Sequence, residues 1–109
     1  MTDAAHCQVV TTIDSRGAAD SLARQAVEAR VAACAQVSGP VTSTYWWEGK
    51  VEAAEEWRIT FKTTTARYAA LERHIREHHS YDVPEILCSP VTAGNPEYLE
   101  WLDAETPER

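Results

Sequence analysis

Runs of basic residues are missing from this sequence, as are long apolar runs, glycine-rich loops and paired cysteines. Acidic residues outnumber basic ones by 17 to 10, for a formal charge of −7. Nucleic acid asks for the opposite, a basic patch facing the phosphates, so the composition argues against that partner. No apolar stretch is long enough to span a bilayer. The opening residues, MTDAAHCQ, carry neither a basic n-region nor an apolar h-region and do not read as a signal peptide. Four glycines in all leave no phosphate-cradling loop, and neither G-x-S-x-G nor a catalytic-cysteine signature occurs. The three cysteines, Cys7, Cys34 and Cys88, form no C-x-x-C pair. Each sits in an apolar run and reads as a buried free thiol in a reducing cytoplasm.

What is present suits a single domain over residues 1–109. HCQVVTTI, His6 to Ile13, is rich in β-branched residues and reads as a strand. Asp14 or Ser15 can cap the alanine-rich helical pattern that runs from Ala18 to Ala33. A second strand starts at Cys34, is interrupted by Gly39-Pro40 and resumes from Val41 to Trp47. Glu48 to Lys50 is a tight turn, and the returning strand alternates. Trp57, Ile59 and Phe61 fall on one face; Glu56, Arg58, Thr60 and Lys62 fall on the other. Ala66 to His79 reads as a second helix, Glu85 to Val91 as a fourth strand with Pro90 marking an edge. Asn95 and Pro96 open a short terminal helix with Tyr98, Trp101 and Leu102 on its apolar side, and the tail DAETPER reads as frayed. The order is β-α-β-β-α-β plus a helix, an α+β, ferredoxin-like pattern. Two helices on one sheet face would leave the aromatic hairpin exposed, which points to self-association.

Three groups of residues could carry chemistry. His74 and His78 stand i, i+4 on the second helix, with Glu77 and His79 beside them. That spacing can bring two imidazoles to one ion. The spacing alone favours the plainer role, histidines bonding the last carbonyls of a helix. Glu56, Arg58 and Lys62 form a charged row that reads first as a solvated face and second as a pocket wall for a polar ligand. In YDVPE, Tyr81 and Glu85 flank a stiff strand entry and fit either turn chemistry or a site facing Lys62. No nucleophile or acid/base constellation emerges, so an enzyme is the least favoured class.

Several stretches together resemble one family, the CutA divalent-cation-tolerance proteins: RVAACAQV, STYWWEGKVEAAEEWRITFKTT, HHSYDVPEIL and PVTAGNPEYLEWL. They follow the family's order and spacing and cover most of the chain. The resemblance implies a ferredoxin-like protomer in a homotrimer built by the long hairpin, with Tyr45, Trp46, Trp47 and Trp57 at the trimer interface. It also implies a divalent metal, Cu(II) foremost, held by His78 and His79 with a first-strand cysteine. Thr11 stands where that cysteine would be, and a hydroxyl is a poorer copper ligand than a thiolate. The architecture further resembles PII-type signalling trimers, which bind small effectors between subunits. By that analogy Glu56, Lys62, Tyr81 and Glu85 would line an inter-subunit cleft. The expected function is therefore a cytoplasmic trimer that binds divalent metal and supports metal tolerance. The alternatives are a regulatory trimer with a small ligand in its cleft and a scaffold for a protein partner.

Overall fold

A computed structural model describes residues 4–108. Residues 1–3 of the MTDAAHCQ opening and Arg109 of the DAETPER tail lie outside them. The elements are β1 (His6–Ile13), α1 (Arg16–Glu28), β2 (Cys34–Trp47), β3 (Lys50–Thr64), a 3₁₀ turn (Thr65–Arg67), α2 (Tyr68–His78), β4 (Leu87–Val91) and α3 (Pro96–Glu105). The sheet order is β2-β3-β1-β4, with every neighbouring pair antiparallel. This is the ferredoxin-like arrangement with a terminal helix added.

Alternation along the two central strands makes the core. Val9 stands opposite Phe61, Thr11 opposite Ile59 and Ile13 opposite Trp57. Ala19, Leu22, Ala23 and Ala26 of α1 and Leu71 and Ile75 of α2 close over this face. Six residues spaced at helical period thus meet residues spaced at period two, which is the physical basis of the two-layer packing. On the opposite face α3 covers one end of the sheet. There Lys62 Nζ lies 5.9 Å from the centre of the Tyr98 ring, and His6 Nε2 lies 2.8 Å from the Asp103 carboxylate.

Local chemistry explains the boundaries. Ser15 caps α1, its hydroxyl accepting from the Ala18 amide at 2.9 Å. The helix stops at Glu28 rather than running on to Ala33. Arg30 turns left-handed (φ 63°) while its amide bonds Val27 O and the Val31 amide bonds Ala26 O. That is a Schellman termination with arginine at the usual glycine position. Alanine content alone gives no sign of it. β2 is one strand carrying a bulge between Ser38 and Val41. The Glu48-Gly49 turn has positive φ at both residues, as a two-residue hairpin requires. β4 begins at Leu87, two residues later than the expected start at Glu85, and occupies the sheet edge that Pro90 requires.

Three expectations change. Only Cys7 is buried; Cys34 is partly exposed and Cys88 exposed, all three free. Cys88 lies on the edge strand β4, whose first four residues are all exposed, so an apolar run does not bury every member. Tyr98 and Trp101 remain substantially exposed, while Leu102 is buried. The tail is docked as far as Thr106, which is buried and donates its hydroxyl to Leu102 O.

Gly39 is fixed by its surroundings. Its φ is +139°, and a Cβ there would stand 3.0 Å from Trp57 Cδ1 and 3.1 Å from Glu56 O. Gly39→Ala should therefore destabilise the fold by about 2 kcal/mol. Urea unfolding measures it; an unchanged midpoint would show that the bulge tolerates a side chain.

Candidate functional site

The irregular segment that follows α2 is tied down at its first residue. His79 Nε2 donates to the Thr12 carbonyl at 2.8 Å, and His79 Nδ1 accepts from the Tyr81 amide at 3.0 Å. Both ring nitrogens are therefore engaged, and the ring is held as the Nε2–H tautomer. The two bonds, worth on the order of 1 kcal/mol net each, bracket the segment against the end of β1. The Tyr81 ring lies 4.7 Å from the His79 ring, centre to centre. From there the Tyr81 hydroxyl reaches β3 and donates to Glu56 Oε2 at 2.7 Å. Burial, then the Glu56 carboxylate, pushes the Tyr81 phenol well above its ordinary range, so it stays protonated as a donor.

This bracket leaves a cleft of about 810 Å³ between the segment and the hairpin. Tyr45 and Trp47 of β2 and Glu52 and Glu56 of β3 form one wall; Tyr81, Asp82, Pro84 and Glu85 form the other. Register explains the first wall. Tyr45 pairs with Glu52 and Val41 with Glu56, so alternate residues of both strands face the same side. A smaller groove of about 490 Å³ lies between α1 and β2, but its Arg24 and Glu28 already pair with each other at 3.2 Å.

The sequence-derived residues separate into groups. Glu56, Tyr81 and Glu85 come together in the cleft. Lys62 does not join them within one chain. It lies six residues along β3, about 20 Å away, beneath α3. His78 and His79 diverge. His78 Nδ1 bonds the His74 carbonyl at 2.8 Å, the helix-end role, and its ring stacks on His74 at 4.2 Å. His74 Nε2 is buried without a hydrogen-bond partner. Thr11 is fully buried on the helix-covered face, and its hydroxyl likewise lacks a partner. Among the described residues no three His, Cys, Asp or Glu side chains converge to hold a metal ion. The Cys–His–His set that the resemblance implies therefore does not fit this chain: a threonine replaces the thiolate, and His79 has no nitrogen to give. Of the four hairpin aromatics, Tyr45, Trp46 and Trp47 are exposed, whereas Trp57 packs on the core. Glu52 and Asp82 were missed by sequence reasoning; the i, i+4 spacing of Glu52 and Glu56 on one strand face was the available signal.

The fold and cleft define a ferredoxin-like α+β chain with a projecting aromatic hairpin and an acidic cleft at its side. Residues 7–105 match the family described as CutA1 divalent ion tolerance protein. The chain belongs to that family. It is 38% identical over 100 residues to "Protein CutA 1, chloroplastic" of Oryza sativa subsp. japonica, covering 92% of this chain and 56% of that protein. It is 40% identical over 96 residues to the divalent-cation tolerance protein CutA of Yersinia pestis (strain Pestoides F), covering 88% of this chain and 81% of that one. The chain thus spans about half the length of its chloroplastic plant relative and most of its bacterial one. The crystal structure of CutA1 from Oryza sativa superposes with a TM-score of 0.94 at 36% identity, covering 97% of each chain.

His74 sets a pH dependence. Burial, then the neighbouring His78, holds its imidazole below the ordinary 6.5. As pH falls the unfolded chain takes up this proton first, so stability should decline from about pH 6.5 downward through the lowered native value. Urea midpoints at about pH 7.5 and about pH 5.5 test this, and the decline should shrink in His74→Gln. An equal decline in the variant would contradict it.

Proposed function

We propose that this protein works in divalent-cation tolerance as a cytoplasmic homotrimer that binds its ligand and transforms nothing. The observation that carries the trimer is the outer face of the hairpin. Trp46, 74% exposed, pairs in register with Val51, 58% exposed, on the face turned away from the cleft. Large apolar groups left in water at the end of a long hairpin are the mark of a contact surface. The family match supports self-association through a second copy of the same chain. Tyr45 and Trp47 lie on the opposite face of the hairpin and line the cleft.

Binding without catalysis is supported by the state of the titratable groups. The His79 nitrogens are both occupied, and Tyr81 is held as a neutral donor. Neither offers a base or nucleophile at neutral pH. Cation binding is supported by the charge of −7 and by the family. Cu(II) is the ion that imidazole suits best among the candidates, and His78 Nε2 is the ring nitrogen left for it at the end of α2. A reducing compartment fits three free thiols.

Sedimentation of the wild type should give a trimer, and Trp46→Ala should shift it toward smaller species. A monomer in the wild type would overturn the proposed assembly. Calorimetric titration of Cu(II) should give saturable binding that His78→Ala removes. Unchanged binding in that variant would reject His78 as a ligand.

A further inference from the structure

We propose that Cys7 and Cys88 together bind Cu(I), one ion to each chain. The inference goes beyond the Cu(II) reading and shares no ligand with it, and neither cysteine belongs to the set that the family resemblance implies. The two residues, distant in sequence, meet through strand pairing. Cys7 stands opposite Pro90, and Val9 stands opposite Cys88, on the ladder between β1 and β4. Directly paired residues point to the same side of a sheet, as do alternate residues along one strand. Cys7, Val9 and Cys88 therefore share the helix-covered face, with the two thiols diagonal to each other. Cys7 is only 2% exposed. Burial, then the Cys88 thiol beside it, pushes the Cys7 thiol up to about 12. The pair is built within one chain, on the sheet edge opposite the hairpin, so its convergence does not depend on what the hairpin contacts.

Spacing decides what the two sulfurs can hold. Diagonal neighbours on an antiparallel ladder have Cα atoms about 7–8 Å apart, with Cβ atoms somewhat closer. A disulfide draws the Cβ atoms to about 3.5–4.5 Å, which would pull β4 out of register. An ion between the sulfurs asks for less movement, because two metal–thiolate bonds of about 2.3 Å keep the sulfurs roughly 4–5 Å apart. Ligand number then selects the ion. Zn(II) takes four ligands in a structural site, and among the described residues no third His, Cys, Asp or Glu joins the pair. Cu(I) is soft, prefers thiolate and is satisfied by two ligands in line. In the reducing compartment proposed above, copper is held in that oxidation state. At neutral pH Cys7 is a thiol, so binding exchanges protons for metal: two Cu–S bonds form, both S–H protons pass to solvent and no electron moves. Cys34 takes no part. It pairs with Lys62, which pairs with Gln8, on the opposite face of the sheet from Cys7.

Cu(I) supplied anaerobically to the reduced, full-length protein, in competition with a chromophoric Cu(I) chelator, tests this. Each chain should retain one ion, and X-ray absorption at the copper edge should show sulfur neighbours alone. Cys88→Ser should weaken Cu(I) by more than about 100-fold, since even an outer-shell change costs about 10–100-fold in metal affinity. Cys7→Ser should act alike; should that buried substitution fail to fold, the exposed Cys88→Ser decides alone. Cys34→Ser should leave the affinity unchanged. Complete loss of copper to the chelator, retention in Cys88→Ser, nitrogen neighbours in the spectrum or equal weakening by Cys34→Ser would each overturn the proposal. His78→Ala should leave Cu(I) affinity unchanged, so failure of the thiol pair and failure of the His78 assignment are read separately.

Discussion

Period-two alternation along β3 is the constraint on which the rest depends. This strand is 15 residues long and is paired on both sides over much of its length. One register sends Ile59 and Phe61 into the helical layer, and the same register sends Glu52 and Glu56 to the cleft. A one-residue slip would exchange the two sets, placing carboxylates under α1 and α2. The two-residue Glu48-Gly49 turn and the bulge at Ser38/Val41 fix that register, with Gly39 the one residue type the bulge admits against Trp57. Core and cleft are thus products of the same hydrogen-bond ladder.

The His79 bracket completes this geometry into a cleft. Without it the segment before β4 would be tied to the sheet only by its ends and the Tyr81–Glu56 hydrogen bond. With it, Tyr81 is delivered to Glu56 and the second wall of the cleft stands at a defined distance from the first. The same bonds use up both nitrogens of a histidine that the family resemblance, rather than its spacing, places in a metal-binding set. The hairpin is divided in a parallel way. Trp46 and Val51 are exposed on the face turned away from the cleft, while Tyr45 and Trp47 face it.

Much of the fold is legible in the sequence because it rests on local, periodic signals. The strand from His6 to Ile13, the Leu71 and Ile75 stripe, the tight turn and the Asn95-Pro96 helix start are all of this kind. What was not legible depends on contacts between distant segments. The end of α1 is set by a left-handed Arg30, where the alanine pattern suggests five more helical residues. The partner of His79 is a backbone carbonyl on β1, far away in sequence, so adjacency to His78 was the only visible relation. Lys62 and Glu56 share a strand face, but within one chain six residues of strand rise hold them about 20 Å apart. The cleft was legible in part: Glu56, Tyr81 and Glu85 do meet, whereas Asp82 and Glu52 join them only once register and the bracket are known.

The state of the His79 ring tests the central claim most directly. Long-range ¹H–¹⁵N correlation spectra of the intact protein at neutral pH report which nitrogen carries the proton. The account predicts the neutral Nε2–H form, with Nδ1 shifted as an acceptor, and no change in either resonance when Zn(II) is added. A proton on Nδ1, or a Zn(II)-induced shift of either nitrogen, would show that His79 is a ligand-binding group and that the bracket is not what positions the cleft.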